Sequence, residues 1–319
     1  MDGILNIDKP EGLTSHDVVA RVRRLLKEKR VGHTGTLDPF ATGVLVLMVG
    51  RATRLAQFMA TDVKEYIATV RFGYTTETGD LTGARLAPSE SDDESEAQAA
   101  MAQPWSEARM EEALSALRGE IEQVPPMYSA KKIAGKKLYE LARRGETVER
   151  EARRVTIYTL EAIGQEDGSL LHWNEDGTCD MAFRVSCSAG TYVRVLAESL
   201  GERLGVGAHL ASLRRTRAGE FRIETAVTLD ELATKAEEGN ASNLLLSMNA
   251  ALSSLSFLHL TAEEARRVGH GVPLSLKTRP ETNYSEGERL RLIDTDGNLL
   301  AVGAYDSSQE VIRPIVVLA

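Results

Sequence analysis

The segment GVLVLMVG (43–50) constrains the fold of this chain most strongly. It is a continuous apolar run, rich in β-branched residues and bounded by glycines. Short runs of this kind, enclosed by turn residues, are typical of strands buried inside a sheet. The segment before it, RVGHTGTLDPFAT (30–42), contains glycines, threonines, a histidine and an aspartate. The sequence therefore predicts a buried strand with a polar loop at its amino end.

Other segments show either the two-residue period of a strand or the 3.6-residue period of a helix. Thr14, followed three residues later by Asp17, is close to a capping box and predicts the start of a helix. The predicted strands are 3–9, 43–50, 65–76, 153–164 and 179–188, and the predicted helices are 14–30, 106–119, 191–205 and 228–239, with Gly119 stopping the second helix.

The tail of the chain differs from the rest in its pattern of predicted helices and strands. From about residue 255 a small helix is followed by short strands, two of which flank the turn sequence DTDGN. No internal repeat or heptad pattern occurs. We therefore predict two domains, a large one over residues 1–250 and a small β-rich one over residues 251–319.

Charge is unevenly distributed along the chain. The net charge of −9 taken alone argues against a polyanionic partner. However, residues 21–30 carry six basic residues against one acidic, and residues 131–154 carry nine against four. Residues 89–112 carry eight acidic residues against one basic. Basic segments are the usual footprint of phosphate contacts, although solvated helix faces would look the same.

Several classes of function are excluded by missing motifs. Cys179 and Cys187 form neither a disulfide framework nor a metal knuckle, and the six histidines lack ligand spacing. The sequence contains no P-loop, no dinucleotide-binding glycine motif and no nucleophile elbow. We expect no metal site, two core thiols and, without a signal peptide or membrane span, a cytoplasmic protein.

Asp38 is the most ambiguous residue of the polar loop. Because it precedes Pro39, its backbone is biased towards the extended region, which fits an ordinary turn or a carboxylate held at the mouth of the buried strand. His33 in the same loop fits either backbone hydrogen bonding or a flat ring offered to a nucleobase. Tyr192 and Arg194 lie at the start of a predicted helix. Arg194 in this position fits a residue that binds an anion or a carboxylate, and it fits an ordinary residue of the first helical turn equally well. The residues alone leave these alternatives open.

The motifs GHTGTLDPFATGVLVLMVGRATR, KEY, TETGD, MYSAKKIAGKKLYELARRG, REARRV and GTYVRVLAESLGERLGVGAHLASLRR follow one another in this order. In that order they resemble the TruB family of tRNA pseudouridine synthases, and the opening GILNIDKPEGLTSHDVV is similar to that family as well. The resemblance covers residues 3 to about 235 nearly continuously and the tail more loosely, through RPIVVL.

The resemblance implies an α+β (mixed α/β) fold with a mostly antiparallel central sheet, the pseudouridine synthase core. It makes residues 1–250 the catalytic domain and residues 251–319 a PUA-like module. Within the catalytic domain, the basic segment at about 124–154 corresponds to an insertion that closes over RNA. The acidic stretch near 88–104 is longer than the family pattern, and we place it away from the substrate.

The implied activity is isomerisation of uridine to pseudouridine in the T-loop of tRNA, at the position conventionally numbered 55. Asp38 matches the catalytic aspartate, which attacks the uridine or abstracts a proton so that the N-glycosidic bond breaks. Tyr66 matches the tyrosine that stacks on the flipped uracil and helps to remove the C5 proton. Arg194 matches the arginine that pairs with Asp38.

The resemblance also implies substrate-binding residues. Tyr192 and Leu213 would shape and close the base pocket, His33 would stack in the RNA, and Lys9 would support the site. In the basic segment the implied RNA contacts are Lys136 and Lys137. The reaction is redox-neutral, so it implies neither a metal nor an organic cofactor.

The implied partner is the T-stem-loop of tRNA, bound by a monomer without guide RNA and without a membrane. Two alternatives have the same scaffold. One is a non-catalytic RNA-binding or tRNA-folding module, against which Asp38, Tyr66 and Arg194 together argue. The other is a guide-RNA-dependent synthase, which the basic insertion and the lack of long basic tails disfavour.

Overall fold

The computed structural model describes residues 1–59, 63–86, 105–129, 132–133, 136–142, 144–277, 279 and 283–318. Within them the helices are α1 (Ser15–Leu26), α2 (Ala56–Met59), α3 (Glu107–Ser115), α4 (Leu138–Ala142), α5 (Val193–Leu204), α6 (Leu229–Glu237), α7 (Met248–Ala251) and α8 (Ala262–Gly269). Short 3₁₀ turns cover Gly50–Leu55, Ile223–Thr225 and Ala241–Leu244. The acidic stretch near 88–104 lies outside the described residues.

The amino-terminal strands are β1 (Gly3–Lys9), β2 (Val31–His33), β3 (Thr42–Val49), β4 (Lys64–Phe72), β5 (Gly119–Gln123), β6 (Lys132–Ile133) and β7 (Lys136–Lys137). The middle of the chain adds β8 (Arg153–Ile163), β9 (His172–Trp173), β10 (Cys179–Cys187), β11 (Ala208–Ala218) and β12 (Phe221–Arg222). The tail forms β13 (Ser256–His259), β14 (Leu274–Ser275), β15 (Arg289–Ile293), β16 (Leu299–Asp306) and β17 (Val311–Val317).

A large sheet of ten strands dominates the described residues. Its main path is β1-β3-β11-β4-β10-β8-β5, and β2, β9 and β12 pair beside it. Neighbouring strands run antiparallel except β3 and β11, which are parallel. A second, five-stranded sheet follows in the order β13-β15-β16-β17-β14. The predicted α+β fold, with a mostly antiparallel core sheet and a β-rich tail, is confirmed.

The first helix begins where its sequence predicts. The Thr14 hydroxyl accepts from the Asp17 amide, and the Asp17 carboxylate accepts from the Thr14 amide, which completes a capping box. Val18, Val22 and Leu26 are buried one or two turns apart and fix this helix against the sheet. At its carboxyl end Lys27 turns into the left-handed region with φ of 51°.

The alternation predicted for the strands is also seen in the burial of their side chains. Along β4 the even-numbered residues from Lys64 to Phe72 are buried, and the odd-numbered ones face outward with more exposure. One buried face therefore carries Tyr66 among apolar neighbours. Strand β3 is buried over nearly its whole length, as its continuous apolar run predicts.

One local prediction was wrong. The helix expected to stop at Gly119 ends at Ser115, and Gly119 instead opens β5 with φ of +84°. The basic residues Arg214, Arg215 and Arg217 lie within β11. A strand in the middle of a sheet buries every second side chain, so the arginines alternate between the cavity side and the outer face.

The tail packs against the back of the large sheet. Val44, Val46 and Met48 of β3 share an apolar cluster with Leu299 and Val302 of β16. The Arg51 guanidinium also donates to the Leu318 carbonyl at 2.6 Å. The predicted domain boundary at residues 250 and 251 remains a prediction. Among the described residues, no helix is long and apolar enough to cross a membrane.

The β3–β11 pairing depends on a glycine. Gly43 has φ of +99°, and a Cβ atom there would lie 2.2 Å from the Arg215 carbonyl oxygen. We expect Gly43→Ala to lower the free energy of unfolding by roughly 2–5 kcal/mol, since strained backbone and overpacking add together. Gly12, with φ of +83° and no atom within 4 Å of its Cβ position, is the control. Its alanine variant carries the backbone strain alone, about 1–2 kcal/mol. Denaturant unfolding of both variants measures the difference, and equal losses of stability would contradict the steric explanation.

Candidate active site

A cavity of about 260 Å³ opens where the loop after β2 meets the first turn of α5 and the inner face of β11. Both polar and apolar side chains line it. The lining residues are Thr34, Gly35, Thr36, Leu37, Asp38, Lys64, Tyr66, Ser129, Ala189, Gly190, Thr191, Tyr192, Val193, Arg194, Leu213 and Arg215. Five of the predicted site residues, Asp38, Tyr66, Tyr192, Arg194 and Leu213, are therefore brought together at one place.

The loop that carries Asp38 is held on both sides. The Leu37 amide donates to the Ser15 hydroxyl at 2.9 Å, which ties the loop to the start of α1. The Ala41 amide donates to the Asp38 carbonyl at 3.1 Å, so Asp38 does begin a turn. The Pro39 carbonyl accepts from the Gly12 amide at 2.8 Å. Asp38 thus has the backbone of a turn residue and a carboxylate in the cavity.

Arg194 binds the Asp38 carboxylate. Its Nε lies 3.1 Å from Asp38 Oδ2, and its side chain is only 4% exposed, against 33% for Asp38. The two remaining guanidinium nitrogens donate to the carbonyls of Thr78 and Tyr128, each at 2.6 Å. The Asp80 carboxylate, which is also buried, lies 3.8 Å from Arg194 Nη1. Contacts with three chain segments therefore fix the Arg194 guanidinium beside Asp38.

Burial raises the pKa of Asp38 above its ordinary value. The Arg194 guanidinium is the largest influence in the opposite direction, while Asp80 adds to the increase. A carboxylate in such an environment is a stronger base than one in water. The site therefore holds a partly desolvated acid whose charged form depends on one arginine.

Tyr66 lies on the sheet side of the cavity. Its side chain is buried and hydrogen-bonded to Arg215, and burial raises the pKa of its hydroxyl. Arg215 is itself buried and donates to the carbonyls of Val44 at 2.6 Å and Gly35 at 3.2 Å. In the sequence Arg215 is only one of several basic residues. Its alternation on β11 with Leu213 was the signal that it faces the same side as Tyr66.

Tyr192 is positioned by a residue that the sequence did not single out. Its amide donates to Gln123 Oε1 at 2.9 Å, and Gln123 Nε2 donates back to the Tyr192 carbonyl at 3.3 Å. Gln123 ends β5 and is buried. This pair fixes the start of α5, so that Arg194 enters the cavity from the first helical turn. Leu213 supplies an apolar wall from β11.

Lys9 and His33 are not among the residues that line the cavity. Lys9 is fully buried, and its ammonium donates to the carbonyls of Pro10 at 2.8 Å and Pro39 at 3.2 Å. Burial lowers its pKa to about 8, with the Asp38 charge opposing the decrease. His33 ends β2 and packs edge-on against His16, with the ring centroids 5.6 Å apart.

The basic segment reaches the cavity through its amino-terminal part. Ser129 lines the cavity, and the Tyr128 carbonyl accepts from Arg194. Further along, Lys136 and Lys137 form β7, which pairs with β6 as a small separate hairpin. The structure describes the backbone of these two lysines, and their predicted contact with RNA stays a prediction.

The titratable groups that the structure describes elsewhere do not form a metal site. Among the described residues, no group of three or more His, Cys, Asp or Glu side chains is arranged to hold a metal ion. Cys179 and Cys187 are free and buried, as predicted, and burial raises their pKa values to about 12 and about 11. Neither thiol is suited to act as a nucleophile.

Comparison with known proteins gives consistent matches to one family. Residues 23–193 match the model of the TruB family pseudouridylate synthase N-terminal domain, and residues 194–253 match that of the tRNA pseudouridylate synthase B C-terminal domain. The tRNA pseudouridine synthase B of Halalkalibacterium halodurans is 41% identical over 320 residues, covering 100% of this chain and 98% of the relative. That of Geobacillus kaustophilus is 45% identical over 276 residues, covering 86% and 92%.

A solved structure agrees with the fold. In the crystal structure of a Cbf5-Nop10-Gar1 complex, one chain superimposes with a TM-score of 0.71 at 26% identity. The superposition covers 99% of this chain and 85% of that one. The likeness therefore extends over the carboxyl-terminal sheet as well as the core.

Proposed function

The chain belongs to the TruB family of pseudouridylate synthases, and we propose that it modifies the T-loop uridine at the tRNA position conventionally numbered 55, acting as a monomer without a guide RNA. Its relatives carry the name tRNA pseudouridine synthase B. The chain is accordingly an isomerase that converts uridine to pseudouridine in tRNA. The observation that carries the proposal for the site is the Asp38 carboxylate, held by buried Arg194 in a cavity that also contains Tyr66.

The size and lining of the cavity suit one nucleotide turned out of its stack. A uridine inside a folded RNA loop must be extruded before an enzyme can reach its glycosidic bond. At about 260 Å³ the cavity is slightly smaller than the ~300–1,000 Å³ of typical ligand pockets. In our proposal the uracil lies between Tyr66 and Leu213, with Tyr192 at its edge. Tyr66 and Leu213 hold the base by its faces and require no charge on it.

Asp38 supplies the chemistry in this proposal. Its carboxylate attacks the uridine or removes a proton from it, and the bond between C1′ and N1 breaks. The detached uracil turns so that C5 faces C1′, and the C5–C1′ bond forms. A bond that Asp38 made to the nucleotide breaks again, or a proton that it removed is returned. The proton on C5 then leaves while N1 gains one. We propose that Tyr66, whose hydroxyl is hydrogen-bonded to Arg215, assists removal of the C5 proton.

The decisive experiment measures tritium release from 5-tritiated uridine in a T-stem-loop hairpin, because the C5 proton must leave in this reaction. We expect the purified protein alone to turn over this substrate. Activity that appears only after a guide RNA is added would contradict the stand-alone assignment. The same assay on a hairpin whose target uridine is replaced by cytidine is the control for nonspecific release.

The hairpin of β6 and β7 yields a separate test. Charge reversal at Lys136 and Lys137 is expected to weaken RNA binding and to flatten its salt dependence, since the slope of log K against log salt falls by about 0.7–0.9 for each phosphate that is no longer bound. The measurement is a binding titration at several salt concentrations. An unchanged slope would mean that these lysines are ordinary solvated residues.

A further inference from the structure

Helix α1 exposes a basic face that starts at the active-site loop. His16, Ala20, Arg24 and Lys27 are all exposed and follow one another at intervals of four, four and three residues. This spacing places them in one row along the helix. Arg23 is exposed beside the row, and the opposite side of the helix carries the buried valines.

The row is anchored to the cavity at its amino end. The Ser15 hydroxyl donates to the Leu37 carbonyl at 3.1 Å, and Leu37 lines the cavity. His16 contacts the ring of His33, whose neighbour Thr34 also lines the cavity. A molecule that leaves the cavity on this side therefore meets the exposed row of α1.

The positive charges at the far end are available to a ligand. Arg24, Lys27 and Lys29 have no ion-pair or side-chain hydrogen-bond partner within the part of the chain that the structure describes. Together with Ala20, Arg23 and Glu28, they line a shallow groove.

Acidic groups near the row are already engaged. Glu28 lies 3.8 Å from the Met1 amino group and 3.9 Å from Arg30 Nε. Asp17 turns its carboxylate back onto Thr14 in the capping box. Arg21, by contrast, projects to the side of the row and pairs with Asp230 of α6 at 3.0 Å. The row therefore presents net positive charge.

Its length matches that of a short nucleic-acid stem. At 1.5 Å per residue, His16 and Lys27 are separated by about 16 Å along the helix. That distance spans several stacked base pairs of an RNA stem. A row of this length can follow one strand of phosphates from the cavity outward.

We propose that the exposed row His16–Lys27, extended by Lys29, binds the phosphate backbone of the helical RNA stem that adjoins the reactive nucleotide. The inference rests on the proposed function, since it assigns this surface to the same RNA substrate. Arg24, Lys27 and Lys29 contact phosphates and so position the stem without reading its sequence. The bases of the loop remain available to the cavity.

The test compares two doubly neutralised variants of the full chain. Arg24→Gln/Lys27→Gln removes two charges from the row. Arg21→Gln/Lys235→Gln removes two exposed charges that are already paired with Asp230 and Glu238. Both pairs change the net charge equally and lie on the protein surface, so that folding is preserved in each.

For the row variant we expect roughly tenfold weaker binding of a T-stem-loop hairpin and a salt slope lower by about 0.9 for each phosphate that the protein no longer binds. The single-turnover rate at saturating enzyme should stay unchanged, because neither residue touches the cavity. The binding deficit should be larger for a stem of about seven base pairs than for one of about three, which ends before Lys27. The control variant should bind like the wild type.

Equal salt slopes for the row variant and the wild type, with normal wild-type turnover, would overturn this inference and leave the proposed function standing. A deficit that does not depend on stem length would also overturn it, since the row would then bind some other part of the RNA. Failure of the wild type to release tritium from the hairpin would instead overturn the proposed function, and this inference with it.

Discussion

Asp38→Asn is expected to fold, to bind tRNA and to lose isomerisation by roughly 10⁴-fold or more. Asparagine has nearly the same shape as aspartate, and the turn depends on the backbone carbonyl of this residue. The amide carries no negative charge, so it can neither attack the uridine nor accept a proton. Arg194 also loses its ionic partner, although its hydrogen bonds to the carbonyls of Thr78 and Tyr128 remain.

Tritium release measures the loss of turnover, and a binding titration with the same hairpin shows that the RNA still docks. Glu11→Gln is the matched control, since it neutralises an exposed carboxylate two residues beyond Lys9. We expect this control to keep wild-type turnover. Appreciable turnover by Asp38→Asn would remove Asp38 from the mechanism.

The second large effect is expected at Arg194. Burial already raises the pKa of Asp38, and Arg194 is the main influence that opposes the increase. In Arg194→Gln the pKa of Asp38 therefore rises further. Since activity in our proposal needs the ionised carboxylate, the fall of kcat/KM on acidification moves to higher pH. We expect kcat/KM to drop by roughly 10²-fold or more even on the plateau, because an electrostatic partner at the reacting centre is removed.

The Arg194→Lys variant separates the effect of the positive charge from the effect of the guanidinium geometry. Lysine retains the positive charge, but its single ammonium cannot reach Asp38 and both carbonyls as the guanidinium does. We expect the acid limb of this variant to stay near that of the wild type, with a lower plateau. The measurement is a pH profile of kcat/KM for the wild type and both variants, with thermal unfolding recorded at each pH. If the acid limb of Arg194→Gln coincided with that of the wild type, Arg194 would not control the ionisation of Asp38.

Stability provides a second readout for the same variant. Arg194→Gln leaves the buried Asp80 without its cationic neighbour and weakens the hydrogen bonds to two chain segments. Breaking a buried pair in this way costs roughly 3–5 kcal/mol. The activity of Arg194→Gln must therefore be measured under conditions in which this variant is folded.

Much of the fold could be predicted because the relevant signals are local. The capping box of Thr14 and Asp17 marks the start of α1, and the alternation around Tyr66 defines β4. Both patterns act over a few residues, so interactions between near neighbours decide them. Gly119 was misassigned for the same reason. A glycine that stops a helix and a glycine that opens a strand have the same local sequence signal, and pairing with β8 selects the strand.

The sequence predicted the main residues of the candidate site, but it did not predict how these residues are arranged in space. The order of the family motifs singled out Asp38, Tyr66 and Arg194. Gln123 carries no such signal, and Arg215, although it ends one of these motifs, was not singled out, because the roles of both residues come from partners far away in the chain. Gln123 binds the Tyr192 backbone, and Arg215 binds the Val44 carbonyl together with Tyr66.

Hydrophobic periodicity and capping depend on residues that are close together in the chain. The amino-acid sequence alone therefore specifies where most strands and helices form. Through the order of its motifs it also specifies the family. The chemical environment of Asp38, by contrast, follows only from tertiary packing. As a dipeptide, Asp38-Pro39 favours a turn, and a turn is present. Its carboxylate becomes a candidate catalyst because sheet and helix packing bring Arg194 to 3.1 Å and desolvate both groups. Ionisation depends on charge and solvent in three dimensions, and no local pattern encodes them.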